Sequence, residues 1–268
     1  MKKKNATVSL IITTYNWKEA LKESILSALN QSILPDEIII ADDGSKQDTE
    51  EMIIQINKNS SLPIIHVWQE DLGFRVATIR NKAIARAKCE YIIVADGDIL
   101  FHPHFVEDHL NFAKEGFFNL GPRVILSEKL STEINFQIIR KINFFTNGIR
   151  NRKNSIHSEI LAKLLSYEST VLTNIRSCNL AFWKADALKI NGFNEEFEGY
   201  GREDLEFAAR LKNNGIKRFN IRYSAIGYHI YHKDNKRDSV AFNDIMVAET
   251  IEKKLKWCLN GINKYLHT

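Results

Sequence analysis

An alternation in the first half of the chain constrains the fold most. Nearly continuous apolar runs of five to seven residues are separated by segments with helical spacing. Val8–Thr14 is a β-rich run, and Lys18–Asn30 then places Leu21, Ile25, Ala28 and Leu29 on one helical face. Glu37–Ala41 reads as a buried strand stopped by Asp42-Asp43-Gly44-Ser45, with Thr49–Ile56 as the next helix. Ile64–Trp68, Val76–Ala87 and Tyr91–Ala95 continue strand, helix, strand, and Asp96-Gly97-Asp98 stops the last of them. Strands without a polar face must be covered on both sides. Joined by amphipathic helices, they predict an α/β fold: a mostly parallel, Rossmann-like sheet with helices on both faces. Ligands gather at the carboxyl ends of such strands, where both acidic clusters fall.

The pattern loosens after Leu126. Residues 127–170 lack clear strand alternation, and from Arg140 to Lys163 they carry Arg140, Lys141, Arg150, Arg152, Lys153 and Lys163 against Glu159 alone. This predicts an inserted or mobile helical region. Order returns at Val171–Trp183, followed by a short helix over Lys184–Ile190 closed by Asn191-Gly192. Glu203–Asn213 reads as a helix with Leu205, Ala208 and Leu211 inward and Gly215 as its C-cap. In the tail, Asn243–Leu266 predicts one basic amphipathic helix, with Ile251, Leu255, Cys258 and Ile262 at helical spacing.

Composition narrows the function classes. At 268 residues with 44% apolar and 26% charged, the chain can bury a substantial core. A net charge of +4, with acids interleaved throughout, argues against a nucleic-acid coat protein. Cys89, Cys178 and Cys258 are far apart and odd in number, so neither a disulfide framework nor a cysteine metal site is expected. Met1–Asn5 runs straight into the first apolar strand, too little for a signal sequence, and no stretch approaches the ~20 apolar residues of a membrane span. The expected location is the cytoplasm, with attachment to a membrane surface as the limit.

Four motifs carry chemistry. Asp42-Asp43-Gly44-Ser45 has the composition of a tight turn, and its functional alternative is a carboxylate that accepts the N3–H of uracil. Asp96-Gly97-Asp98 sets two carboxylates at alternate positions past a buried strand, an arrangement that repels itself without a cation. Hard divalent cations such as Mg²⁺ or Mn²⁺ take oxygen ligands and share them with substrate phosphates. Glu203 and Asp204 open a helix, where acids are common as caps. They also follow a Gly-Tyr-Gly loop with Phe193, Phe197 and Tyr200 before them, and a helix N-terminus favours the ionised carboxylate that a general base requires. His229 and His232, three apart, are either core histidines or the closing ligands of an oxygen-rich metal site.

Taken in order, "VSLIITTYN", "EIIIADDGSKQDTEE", "GFRVATIRNKAIARAKCEYIIVADGD" and "NGFNEEFEGYGREDLEFAARLKNNG" resemble the family 2 glycosyltransferases of the GT-A fold. The second half is similar to the galactosyltransferase C-terminal segment shared by animal β-1,4-galactosyltransferases and bacterial chondroitin-synthase-type modules. The resemblance covers roughly residues 7–126 and 171–235. It implies a nucleotide-sugar-binding half (1–126), the inserted region (127–170), an acceptor-binding and catalytic half (171–235) and a helical tail (236–268), all in one GT-A domain. Thr14, Asn16 and Asp43, with Asp42 beside it, would hold uridine. Arg75 or Arg80 would hold the nucleotide or orient the donor, and Asp96 would contact the ribose or donor sugar. Asp98 would bind the metal, with His232 as closing ligand and His229 as a second candidate. Asp204 would be the catalytic base, and Glu203, Tyr200 and Arg202 would meet the acceptor. Arg202 stands where the family usually has the second glycine of a pair.

The implied activity is inverting transfer of a hexose or N-acetylhexosamine from a UDP-sugar to a glycan or lipid-linked glycan, with Mn²⁺ or Mg²⁺ as cofactor and no nucleic-acid partner. Bacterial surface polysaccharide or lipopolysaccharide synthesis is the expected setting. Two rivals are a sugar-nucleotide-forming nucleotidyltransferase and a non-catalytic carbohydrate-binding protein. The first calls for a glycine-rich loop where this chain has Thr13-Thr14-Tyr15-Asn16-Trp17, and the second does not call for Asp98, Asp204 and His232 together.

Overall fold

The first two strands, β1 (Val8–Thr14) and β2 (Glu37–Asp42), are buried at every position. In the computed structural model, which describes residues 6–233 and 240–266, they lie at the centre of a mixed α/β domain. The Met1–Asn5 run and Asp234, with the residues on to 239, lie outside the described residues. Helix α1 (Lys18–Leu29) joins β1 to β2, and α2 (Gln47–Lys58) leads to β3 (Ile64–Trp68). Helix α3 (Val76–Arg86) leads to β4 (Tyr91–Asp96), which turns tightly into β5 (Ile99–Phe101). There follow α4 (Phe105–Asn111), β6 (Phe117–Leu120), β7 (Arg123–Leu126), α5 (Glu128–Glu133), α6 (Phe136–Ile139), β8 (Ile149–Arg150), α7 (Glu159–Leu165) and β9 (Tyr167–Ser169). The chain closes with β10 (Asn179–Trp183), α8 (Lys184–Lys189), α9 (Glu203–Asn213), β11 (Lys217–Asn220), β12 (Gly227–His229) and α10 (Val240–Glu252).

Strands β1 to β4 are parallel, in the order β3-β2-β1-β4. β10 adds antiparallel to β4, and β6, β11 and β9 complete an eight-stranded sheet. A second sheet has the order β5-β12-β7-β8. Successive side chains of a strand point to opposite faces. Leu10, Ile12, Ile38, Ile40 and Ile93 accordingly pack with Leu21 and Ile25 of α1, Ile53 of α2 and Phe105 of α4. Ile11, Ile39, Ala41, Ile92 and Val94 pack with α3, α8 and α9 through Ile79, Ala83, Ala187, Phe207 and Leu211. Full burial of one such side chain contributes about 1.5–3 kcal/mol. α1 has no side-chain cap at its N-terminus, so this packing is what holds it.

Two segments differ from the sequence expectation. Residues 127–170 contain helices α5 to α7, but β8 also extends the second sheet beside β7 and β9 edges the main sheet beside β11. Ile134, Ile139, Ile142 and Ile149 are buried in a third cluster with Val124, Leu126 and Tyr228. Strands of two and three residues are too short to show an alternation.

The tail is not one helix over Asn243–Leu266. α10 ends at Glu252, and the chain stays non-helical until a short 3₁₀ turn at Ile262–Tyr265. Asparagine side chains replace the internal helix bonds. Asn213 and Asn214 donate to the carbonyls of Leu255 and Lys256, and Asn191 donates to that of Cys258 while accepting from the N–H of Asn263. Cys258 and Ile262 are thereby buried, whereas Ile251 and Leu255 remain exposed. Among the described residues no helix is long and apolar enough to cross a membrane.

Candidate active site

The site begins where β1 and β4 end side by side, with Thr13 paired to Asp96. The Gly97 N–H donates to Thr13 O at 2.7 Å. A Cβ at Gly97 would lie 3.1 Å from that oxygen and 3.2 Å from Thr14 Oγ1. A side chain here would force Thr13 or Thr14 to give by a few tenths of an ångström, so glycine suits the close turn over β1 that carries Asp96 and Asp98.

Arg80 joins this loop to the second half of the chain. It is 2% exposed, and its guanidinium donates to Asp96 Oδ1 (3.2 Å), Glu203 Oε1 (2.9 Å) and Thr13 Oγ1 (3.3 Å). The resemblance assigns Arg80 to the nucleotide or donor. Its position in α3 faces it into the protein instead, with Phe193 beneath it at 5.5 Å. It is a buried strut between two acidic motifs more than a hundred residues apart.

Glu203 and Asp204 occupy the first turn of α9. Glu203 is buried and tied to Arg80 through one oxygen. Asp204 accepts from the backbone N–H groups of Ser177 (3.2 Å) and Leu205 (2.7 Å). Burial, followed by the Glu203 charge, pushes the Asp204 carboxyl up to about 7, against Arg80 and the two N–H groups. Burial also raises Asp96, to about 6; Arg80 pulls it back while Asp98 and Glu203 push it further. Arg80 thus pairs with two carboxylates, Asp96 and Glu203, and feels a third, Asp204, so negative charge exceeds positive here, an imbalance that favours a bound cation.

Asp98 faces both predicted imidazoles. Its Oδ2 lies 3.2 Å from His232 Nε2 and 3.5 Å from His229 Nε2. One ligand atom from each of the three residues lies within 4.8 Å of the others. Adjacent ligands about 2.1 Å from a cation sit about 3 Å apart, so the spacing suits a divalent ion. Asp98 Oδ1 and His229 Nδ1 are buried without hydrogen-bond partners, and an ion at this carboxylate would offset the cost of that burial. The donor set fits Mn²⁺. A second group, His102, Asp108 and His157, could also hold an ion. Its visible role is the His157–Asp108 contact at 3.0 Å, which pins the 127–170 stretch to α4.

At the other side, the predicted uridine residues fall at the ends of β1 and β2. Asp43 is buried and accepts from the Gln69 side chain and the Arg75 N–H, and burial raises its carboxyl. Each of its oxygens keeps a second lone-pair direction. Thr14 is buried, and its carbonyl accepts from the Asp43 N–H. Asn16, at φ 46°, is exposed, with its Oδ1 accepting from the Lys46 N–H. Asp42 is engaged internally: it is fully buried, accepts from the Ser45 N–H at 2.8 Å and meets His66 at 3.0 Å. It shapes the turn and meets the loop through its backbone carbonyl, which accepts from the Gln69 N–H at 3.2 Å, whereas the Asp43 side chain engages both Gln69 and Arg75. The Arg75 guanidinium donates to the Glu70 carbonyl.

Tyr200 and Arg202, predicted to meet the acceptor, lie on the loop before α9. Tyr200 is exposed and edge-on to Phe74. Arg202 takes φ 83°, a left-handed conformation that a glycine adopts without strain. It forms an ion pair with Asp244 of α10 at 2.6 Å, and Asn243 donates to Gly201 O. α10 therefore latches this loop from outside. The sequence reading missed Gln69, which orients Asp43, and Trp17, which packs its edge on His232 at 6.1 Å. Trp17 could have been found from its place just past the first parallel strand.

The family described as Glycosyl transferase family 2 matches residues 9–163, more than half of the chain. The chain belongs to glycosyltransferase family 2. A second family, described as the N-terminal domain of galactosyltransferase, matches residues 161–233 of this glycosyltransferase. It is 28% identical to chondroitin synthase of Escherichia coli over 93% of its own length and 38% of that protein's. It is 27% identical to hyaluronan synthase of Pasteurella multocida, over 92% of its length and 27% of the other's. The chain therefore spans well under half the length of these relatives. The crystal structure of Staphylococcus aureus TarS residues 1–349 superposes with a TM-score of 0.62 at 17% identity, over 97% of this chain and 68% of that one. That likeness establishes the GT-A fold.

Proposed function

We propose that this glycosyltransferase moves a hexose or N-acetylhexosamine from a UDP-sugar to a hydroxyl of a glycan acceptor, with inversion, in bacterial surface polysaccharide or lipopolysaccharide synthesis at the cytoplasmic side of the membrane. One observation carries the reading. Arg80 ties Asp96 to Glu203, so the acidic loop that would meet the donor and the carboxylate pair that would meet the acceptor share one site.

Asp204 is the base. Its carboxyl, raised to about 7, is close to the value at which a base is both ionised and avid for a proton near neutrality. The Ser177 and Leu205 N–H groups fix its direction. It takes the proton of the acceptor hydroxyl as that oxygen attacks the anomeric carbon opposite the leaving UDP. One displacement converts an α-linked donor into a β-glycoside. Asp98, His229 and His232 would hold Mn²⁺ or Mg²⁺, whose charge would offset that of the departing diphosphate. Asp43 accepts from uracil N3–H, and Arg80 keeps Asp96 and Glu203 in place. The names of the relatives, chondroitin synthase and hyaluronan synthase, support a polysaccharide acceptor.

The test is incubation with a panel of UDP-hexoses and UDP-N-acetylhexosamines with Mn²⁺, following UDP release and the product's anomeric configuration by NMR. UDP release with a β-product is expected. A retained configuration refutes the single displacement, pyrophosphate release points to a nucleotidyltransferase, and neither product points to a non-catalytic carbohydrate-binding protein.

A further inference from the structure

A cleft of about 220 Å³ opens at the ends of β6 and β11, lined by Arg123, Arg176, Arg218 and Arg222 with no Asp or Glu in its wall. Among the described residues none of these four arginines pairs with a carboxylate. Four like charges around one cleft repel each other and focus a positive potential into it.

The unsatisfied groups share one chemistry. Arg123 Nε and Asn220 Nδ2 are both buried without a partner, and both are donors. The identity of the Asn220 nitrogen follows from its oxygen, which accepts from Arg218 Nε at 2.9 Å. A buried donor left unpaired is costly, and an acceptor-rich anion removes that cost. Arg218 is held rigid by its bonds to the Val171 and Thr173 carbonyls. Arg222 lies over the ring of Tyr167 at 5.9 Å, and that ring is half exposed. An aromatic face beside guanidinium forks suits a sugar ring that carries an acidic group.

The cleft's place gives it a role. In the main sheet, Asp43 follows β2 on one side of β4, whereas β6 and β11 lie on the other side, beyond β10. Cys178, in the cleft wall, adjoins Ser177, whose N–H holds Asp204. Arg123 and Arg176 are within electrostatic reach of His229. The cleft therefore opens beside the base, away from the nucleotide.

We propose that this cleft is the acceptor subsite, and that it takes a glycan bearing carboxylate or phosphate groups; the assignment of an acceptor rests on the glycosyltransferase reading above. The test is direct binding, by calorimetry, of a hexuronate-containing oligosaccharide, its carboxyl-reduced counterpart and a phosphodiester-linked glycan. The double variant R176A/R222A is measured beside the native protein; both side chains are exposed, so the fold should tolerate the change. At least one acidic probe should bind about tenfold or more tighter than the neutral one, weakening with salt and by a further tenfold or more in the double variant. The UDP-induced thermal shift should be unchanged in that variant. Equal binding of acidic and neutral probes overturns the proposal. So does a variant that loses the UDP shift but keeps the acidic glycan, because the cleft would then serve the donor. Hydrolysis of UDP-sugars to UDP by the native protein, without acceptor, reads the glycosyltransferase proposal separately: its absence counts against that activity while the binding result still reports on the cleft.

Discussion

Replacing Asp204 with asparagine should make the protein more stable and nearly inactive at once. The change keeps the shape and removes the charge of a carboxyl raised from 3.8 to about 7, first by burial and then by Glu203. A tenfold change in a protonation equilibrium corresponds to about 1.4 kcal/mol, which sets a ceiling of about 4 kcal/mol on the penalty of the ionised form. Asparagine can accept from only one of the Ser177 and Leu205 N–H groups and turns its NH₂ toward the other, a loss of about 1–3 kcal/mol. The expected net gain is about 1–3 kcal/mol at pH 8, seen as a Tm rise of several degrees. Because the folded-state pKa is raised, the penalty is absent below about pH 4, grows as pH rises toward about 7, and is full above that. The gain should therefore disappear as pH falls and give way, near pH 4, to the hydrogen-bond loss of about 1–3 kcal/mol. Transfer from a UDP-sugar should fall about 10²–10⁴-fold, and the native enzyme's rate should climb with pH to a plateau above about 7. Differential scanning calorimetry at pH 4.5 and 8, with transfer assays on the same samples, checks both halves. An equal gain at the two pH values, or transfer within tenfold of native, would refute the assignment.

Asp98→Ala should abolish transfer and His232→Ala should greatly reduce it, while EDTA silences the native enzyme and Mn²⁺ restores it; full activity in EDTA would remove the metal from the mechanism. Because Asp43 accepts from uracil N3–H but faces a lone pair on cytosine N3, UDP should raise the Tm far more than CDP, and equal shifts would end the case for a uridine donor. Arg80→Met leaves Asp96 and Glu203 buried without their cation, so urea unfolding should show a loss of about 3–5 kcal/mol; a loss under 1 kcal/mol would mean the strut is dispensable. Phe242, Ile245 and Leu259 are exposed, Lys253, Lys254 and Lys256 fall in the same stretch of sequence, and the stretch from Arg140 to Lys163 is basic as well. Anionic vesicles should therefore sediment the protein at low salt and release it at high salt, with neutral vesicles leaving it in solution.

The sequence alone determined the parallel layer. Residues such as Ile38–Ala41 and Ile92–Ala95 have no polar face, so they can only be central strands, and the helices between them carry their apolar positions at a period that fits just one face. The acidic loops past β2 and β4 and the Glu203–Asp204 pair were legible for the same local reason: each immediately follows or opens a regular element. What joins them is tertiary. Arg80 sits among the apolar positions of α3 with no local sign that it faces Asp96 and Glu203, because that pairing depends on how α3 and α9 pack on one face of the sheet. The tail shows the converse. Ile251, Leu255, Cys258 and Ile262 satisfy a helical period, yet Asn191, Asn213 and Asn214 supply hydrogen bonds from distant elements that hold the chain out of a helix beyond Lys254. Periodicity reports which residues could share a face; it does not register the side chains, far away in sequence, that compete for the same backbone groups. The arginine cleft belongs to the second kind, since Arg123, Arg176, Arg218 and Arg222 are scattered over a hundred residues and meet only because β6, β11 and the segment before β10 end together.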